Sequence, residues 1–334
     1  MEILAYSYRG PLKDLSYTGS VAVVNSEGKL LYYAGDPQKV AYLRSSAKPM
    51  QAMCALESGA VDAYGLSEEE LAVLCSSHSG EEFHVKAIRS ILAKAGLDES
   101  YLQCGVHVPL NQKAAQALEQ RGEAPGQIHN NCSGKHTGML ITAKYLGEDL
   151  QTYYKPEHNV QQRILNKIAD LCQYDPTKIV IGIDGCGVPV FAYPMKNIAT
   201  AYKNLACIDT IQDDVLQDAA RRFVPRIHEY PHMMRGTGYL CSLINHDANI
   251  IAKGGANGVY GIGLKKERIG ISFKIKDGTE AVWPLIIREI FRQIGYYNAD
   301  TDKMLVSLNN GVTVNDNDTP VGEVKTVFTL EKHF

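Results

Sequence analysis

Ser45-Ser46-Ala47-Lys48 sets a hydroxyl and an amine three residues apart, and on a helix two such side chains share a face. A serine is a poor nucleophile near neutral pH unless a base takes its proton. A lysine is that base only when burial or a neighbouring cation lowers its pKa, and Arg44 stands beside the pair as such a cation. The same Ser-x-x-Lys spacing recurs at Ser26-Glu27-Gly28-Lys29, on a turn between two strand-like runs, so spacing alone does not make a site. Ser45 differs because it opens a helical stretch, where main-chain N–H groups can hold an oxyanion. A serine there can equally be a helix cap.

Two further segments carry polar groups of the right kinds. Cys75-Ser76-Ser77-His78-Ser79-Gly80-Glu81 follows the apolar run Leu71 to Leu74, and by itself reads as a capped helix start. Lys253-Gly254-Gly255-Ala256 ends a strand-like run with glycines that allow a ligand close to the main chain. In this order, an early Ser-x-x-Lys, a serine cluster in a helical region and a late Lys-Gly-Gly resemble serine β-lactamases and penicillin-binding proteins. That arrangement implies one cleft shared by the three.

Asn130-Asn131-Cys132-Ser133-Gly134-Lys135-His136 and Gly182-Ile183-Asp184-Gly185-Cys186-Gly187-Val188-Pro189 lie outside that pattern. Pro189 and the missing third glycine exclude a dinucleotide-binding loop in the second. Cys132 and His136 stand four apart and could form a thiolate–imidazolium pair, the basis of a thiol amidase or peptidase. Cys132 and Cys186, with Lys135, His136 and Asp184 near them in sequence, could instead hold zinc, although no C-x-x-C or H-E-x-x-H spacing is present.

The elements that must position these residues follow from periodicity. Alternation predicts strands over Ile3–Arg9, Ser20–Asn25 and Lys29–Ala34, the last two joined by a Ser26-Glu27-Gly28 hairpin turn. Helical spacing covers Ser46–Leu56, Glu82–Ala95, Gly134–Leu146, Asn159–Cys172, Asn197–Ala206 and Thr210–Phe223, with one apolar run, Lys178–Ile183, read as a buried strand. Strand character returns over Asn249–Lys253, Val259–Leu264, Ile269–Lys276 and Val324–Leu330, with an amphipathic helix over Glu280–Ile294. Strands at both ends and helices between predict an α+β fold: an antiparallel sheet built from both termini, about residues 1–40 and 247–334, with a large helical insertion over about 41–246. No linker or repeat divides the chain, so residues 1–334 read as a single domain.

Composition narrows the function classes. The 334 residues are 45% apolar and 21% charged with a net charge of −3, which gives no basic field for nucleic acid or an anionic membrane. The paired tyrosines Tyr32-Tyr33, Tyr153-Tyr154 and Tyr296-Tyr297 lack the basic interleaving of base-stacking surfaces. No apolar run is long enough to span a bilayer, and Met1 to Arg9 lacks a basic n-region and an apolar h-region, so a cytoplasmic location is expected. Eight scattered cysteines then read as free thiols or ligands. Trp283-Pro284 reads as packing, and Gly258, Gly261 and Gly263 as bends in a strand.

Taken together, Arg44-Ser45-Ser46-Ala47-Lys48-Pro49, Ser76-Ser77-His78-Ser79-Gly80-Glu81, Asn130 to His136, Asp184-Gly185-Cys186-Gly187 and Ala252-Lys253-Gly254-Gly255 resemble the L-asparaginase II family of the rhizobial type, in order from about Arg9 to Val324. The resemblance implies a serine β-lactamase and glutaminase-like fold and hydrolysis of the side-chain amide of asparagine through an acyl-enzyme. It implies two Ser–Lys tandems, Ser45 with Lys48 and Ser77 with Lys253; the oxyanion is expected at the N–H group of Ser45 and, by analogy with the β-lactamase arrangement, that of Ala256. It further implies Zn2+ held by Cys132, Lys135 and Cys186, with Arg44, His136 and Asp184 lining the substrate site. The implied partner is a small-molecule amide, with no nucleic acid and no membrane, and a homodimer is a candidate assembly. The chain departs from the family pattern in Asp14-Leu15-Ser16-Tyr17, where a Glu-Ser-x-His is expected. It departs again after Gly236-Thr237-Gly238, where Tyr239, Cys241 and Ser242 replace an arginine and an Asp-Thr. Apart from the asparaginase, the sequence leaves open the thiol hydrolase at Cys132 and His136 and a non-catalytic ligand sensor of penicillin-binding type.

Overall fold

The structure, a computed structural model, describes residues 1–333. Alternating residues at the amino end form β1 (Glu2–Arg9), β2 (Leu12–Val24) and β3 (Leu30–Ala34). β2 turns into β3 through Ser26-Glu27-Gly28, closed by Asn25 and Lys29 main-chain bonds at 2.9 Å, with Gly28 at φ +75°. A small three-stranded sheet follows from distant segments, β4 (Val40–Tyr42), β5 (Val180–Ile183) and β6 (Pro189–Pro194), in the order β4-β6-β5. The carboxyl end supplies β7 (Ile250–Gly255), β8 (Val259–Leu264), β9 (Ile269–Ile275), β10 (Val312–Val314), β11 (Pro320–Thr326) and β12 (Glu331–Lys332).

The main sheet runs β10-β11-β1-β2-β9-β8-β7, every pair antiparallel, with β3 between β2 and β12. It is the expected α+β arrangement, a sheet drawn from both termini. Both faces are covered. Val21 and Val23 of β2 join a core with helix Trp283–Ile294, while Ala22 and Val24 face a second core with the helices of the insertion. Double burial explains why β8 and β9 read as nearly continuous apolar runs.

Helix Met195–Ala206 lies directly on β8 and β9 because three glycines leave room for it. A Cβ on Gly261 would stand 2.0 Å from the Tyr202 ring, and one on Gly270 only 1.9 Å from the Ala199 carbonyl. The Gly261 and Gly263 positions, expected as strand bends, are the bed of a helix.

Three expectations are corrected. Of the run Lys178–Ile183 only Val180–Ile183 is strand, β5, and it is the outer strand of the small sheet, with Val180 52%, Ile181 44% and Ile183 60% exposed. The strand expected over Val324–Leu330 is β11, four residues earlier. The helix expected over Thr210–Phe223 starts at Asp214, where Asp213 accepts from the N–H groups of Val215 and Leu216, and continues past Pro225 to Glu229. Helices Gln112–Gln120 and Ala299–Leu308 and strands β4 and β6 were not read from the pattern.

Candidate active site

β4 leads through Leu43 into a tight turn, Arg44–Ala47, that continues as helix Lys48–Glu57 with Pro49 in its first turn. Arg44 holds a left-handed φ of +50°, a conformation costing a non-glycine residue on the order of 1 kcal/mol. Its guanidinium is anchored to Asp184, Nε donating at 2.9 Å and the terminal nitrogen lying 2.7 Å from the same oxygen. Asp184 sits just beyond β5, so the small sheet braces the turn. Burial would raise the Asp184 pKa, but Lys135 and Arg44 outweigh it and hold the carboxylate ionised.

Ser45 is half-buried, and its hydroxyl has no hydrogen-bond partner among the described residues. It caps neither the turn nor the helix, so the capping explanation does not hold. The end of β7 abuts the turn: a Cβ on Gly255 would lie 2.5 Å from the Leu43 carbonyl and 3.0 Å from the Ser46 nitrogen. The N–H groups of Ser45 and Ala256 donate to no acceptor among the described residues.

Ser77, not Ser45, is the hydroxyl the structure brings to the lysines. Lys48 Nζ lies 3.0 Å from Ser77 Oγ and donates to the carbonyls of Ser76 at 2.8 Å and Asn131 at 2.9 Å. Lys253 Nζ, from β7, reaches the same Ser77 Oγ at 2.9 Å. Lys48, Ser77 and Lys253 are each 1% exposed. Burial lowers the Lys48 pKa to about 8, with the Lys135 and Lys253 charges adding to the effect, and burial lowers that of Lys253 as well. The expected Ser45–Lys48 hydrogen bond is absent from this arrangement.

Sequence reasoning missed the residues that hold the cluster together. The Tyr202 hydroxyl donates to the Ser46 carbonyl at 2.7 Å and lies 3.3 Å from the Lys253 carbonyl. Ser77 N–H donates to the Met234 carbonyl at 3.0 Å, and Arg235 returns a bond to the Ser77 carbonyl at 3.1 Å. Neither tyrosine nor arginine belongs to a motif, and only tertiary contact reveals them. Two departing residues also have places here: Cys241 Sγ accepts from the Gly254 N–H beside Lys253 at 3.2 Å, and Ser242 Oγ accepts from the Gly236 N–H at 3.0 Å.

The thiols form a second cluster behind Lys48. Lys135 Nζ donates to Cys186 Sγ at 3.1 Å, and the Cys132 thiol is close enough to Cys186 for the two to set each other's acidity. The neighbouring Cys132 thiol, with the Lys135 charge, lowers the Cys186 pKa to about 5 against the effect of burial, while Cys132 is pushed up to about 12. His136 does not pair with Cys132: its Nδ1 lies 2.7 Å from the Tyr153 hydroxyl. Burial and Lys135 lower its pKa to about 3. A protonated Cys132 with an uncharged His136 turned away is not the thiolate–imidazolium pair of a thiol hydrolase.

Two sulfurs and an amine converging in one buried place suit a thiophilic ion. His136 Nε2, buried beside them without a partner, is a further unsatisfied donor or acceptor. Among the described residues no three His, Cys, Asp or Glu side chains make such a group, because the third donor is a lysine. The residues therefore fit zinc, provided that Lys135 gives up its proton on binding.

The L-asparaginase II family model matches residues 5–326. The chain belongs to the L-asparaginase II family. That membership makes it an asparaginase-type amidohydrolase. No curated protein matches it. Among solved structures it is similar to a β-lactamase from Mycobacterium bovis, at 12% identity over 82% of this chain and 94% of that one, with a TM-score of 0.43. It is also similar to the D-alanine carboxypeptidase AmpC from Burkholderia cenocepacia, at 14% identity over 86% and 92% with a TM-score of 0.39. A third likeness is to Mglu in its L-glutamate binding form, at 15% over 84% and 60% with a TM-score of 0.39. Likeness at this distance assigns no chemistry. No helix of this family member, among the described residues, is long and apolar enough to cross a membrane.

Proposed function

We propose that this amidohydrolase converts L-asparagine to L-aspartate and ammonia through an ester on Ser45. The observation that carries the reading is Ser77 Oγ held between two buried lysines, one with a pKa near 8. A base of that pKa is about a tenth neutral at pH 7, enough for general-base work.

Ser45 Oγ attacks the carboxamide carbon, because of the two serines it is the partly exposed one, Ser77 being sealed. Lys48 takes the Ser45 proton, which requires its Nζ to exchange one present acceptor for Ser45 Oγ. Ser77 and Lys253 pass a proton to or from Lys48 and keep a positive charge behind it. The tetrahedral oxyanion accepts from the unspent N–H groups of Ser45 and Ala256. Its collapse breaks the carbon–nitrogen bond, and the proton on Lys48 leaves with the nitrogen as ammonia. Water then attacks the ester with Lys48 again as base, releasing the acid and restoring Ser45. Cys132, Lys135 and Cys186 would hold the zinc, which when bound supplies a Lewis-acidic charge beside the pocket.

The distances around Ser77 favour one second reading, in which Ser77 itself is the nucleophile and Lys48 Nζ its direct base. Ammonia release from L-asparagine, L-glutamine and other carboxamides tests the activity. Mass spectrometry of quenched turnover shows which serine carries the acyl group. Ser45→Ala is expected to lower kcat by at least about a thousandfold with little change in melting temperature. Silence on every amide would favour a ligand sensor, and a Ser45→Ala variant with wild-type rate would move the nucleophile to Ser77.

A further inference from the structure

Among the cations around Ser77, Arg235 leaves most of its N–H donors unspent. Lys48 and Lys253 point at Ser77 and main-chain carbonyls, Lys135 at Cys186, and Arg44 at Asp184. Arg235 is half-buried and donates one N–H, to the Ser77 carbonyl at 3.1 Å. No carboxylate lies within ion-pair distance of it among the described residues. The nearby acid Glu81 is taken by Ser79 Oγ at 2.7 Å and the Thr237 N–H at 2.9 Å. The guanidinium carbon sits 5.2 Å from the centre of the Tyr239 ring, which orients the plane. Arg235 is thus an oriented fork of N–H donors bonded to the Ser77 main chain, with no carboxylate among the described residues paired to its charge.

We propose that Arg235 is a specificity-determining residue whose guanidinium receives the free carboxylate of the substrate, restricting the enzyme to amides that bear one. A planar fork matches a carboxylate with two parallel hydrogen bonds, the geometry in which arginine discriminates best. The inference rests on the amidohydrolase reading above, and the test separates the two.

Arg235→Gln keeps an N–H donor for the Ser77 carbonyl while removing the charge. Titration calorimetry with L-aspartate and succinate, beside ammonia release from L-asparagine and uncharged butanediamide, reads both binding and turnover. In Arg235→Gln both dicarboxylates are expected to bind at least about tenfold more weakly, and the kcat/KM ratio of L-asparagine to butanediamide to fall by roughly ten- to a hundredfold. Arg235→Lys, which keeps the charge, recovers part of each. Equal losses on both amides, or unchanged dicarboxylate affinity, would overturn the assignment. A wild type that binds L-aspartate through Arg235 yet releases ammonia from no amide would sink the reaction and keep the arginine. One that hydrolyses amides but binds neither dicarboxylate would do the reverse.

Discussion

The Tyr202 hydroxyl and the Ser46 carbonyl are 2.7 Å apart, and this contact fastens a helix on the main sheet to the turn that carries Ser45. The same hydroxyl lies 3.3 Å from the Lys253 carbonyl, so the turn and the strand bearing the second lysine share one anchor. The anchor, Ser77 and Lys253 are all buried, so the place where the Ser45 turn meets the lysine strand is set by the core and not by a loop.

Tyr202→Phe keeps the ring on Gly261 and deletes the anchor. A lost buried hydrogen bond of this kind costs about 1 to 2 kcal/mol. Urea denaturation should show that loss, and steady-state kinetics a fall in kcat of roughly tenfold with KM little changed. An unchanged kcat would mean that packing alone positions the turn.

Gly261→Ala should be far more damaging than its size suggests. The new methyl would lie 2.0 Å from the Tyr202 ring, so helix Met195–Ala206 must move off the sheet, at a cost of about 2 to 3 kcal/mol or more. Gly122→Ala is the contrast: its φ of +68° strains an alanine, but nothing lies within 4 Å, so about 1 kcal/mol is expected. Equal midpoints in denaturant for the two variants would refute the packing argument.

Lys48 gives the reaction a pH signature. With a pKa of about 8 in the folded protein, kcat/KM should climb as pH rises towards and through 8 and then level off. Stability has the same sign. Between pH 8 and 10.5 the unfolded chain binds a proton that the folded chain has released, so this residue's contribution to stability rises across that window, by about 3 kcal/mol. The stability gap between wild type and Lys48→Met, followed from pH 8 to 10.5, should shift towards the wild type; a constant gap would place the lysine's pKa near its ordinary value.

The thiol cluster is testable by metal content. Protein purified without chelator should carry close to one zinc per chain, and Cys186→Ser should lose most of it. Less than about a tenth of an equivalent in the wild type would leave Cys132, Lys135 and Cys186 as a structural ion pair with a bridging thiol.

What the sequence made legible follows from what kind of signal each part leaves. The main sheet was readable because β1, β3 and β7 to β9 alternate or run apolar, and turns such as Ser26-Glu27-Gly28 mark their ends. β6 was not, since prolines at 189 and 194 bracket it and suggest a loop, and the exposure of β5 depends on its place at the rim of a sheet that no local pattern announces. Motifs brought Ser45, Lys48, Ser77 and Lys253 to one list, but not the fact that Lys48 turns towards Ser77. That choice is made by the Ser76 and Asn131 carbonyls, which arrive from other elements. Tyr202 and Arg235 left no trace at all, because a helix tyrosine reads as core and an arginine before glycines reads as surface.

The two lysines that grip Ser77 come from opposite sides of the helical insertion, Lys253 lying 176 residues beyond the serine. During synthesis Ser77 and Lys48 emerge together, while Lys253 follows after on the order of ten to thirty seconds at ordinary translation rates. Until then β2 also lacks β9, its neighbour in the finished sheet, and presents a free hydrogen-bonding edge. The nascent chain is therefore at once without its full set of proton carriers and exposed to wrong pairing, and a single event, the docking of the β7 to β9 hairpins, ends both conditions.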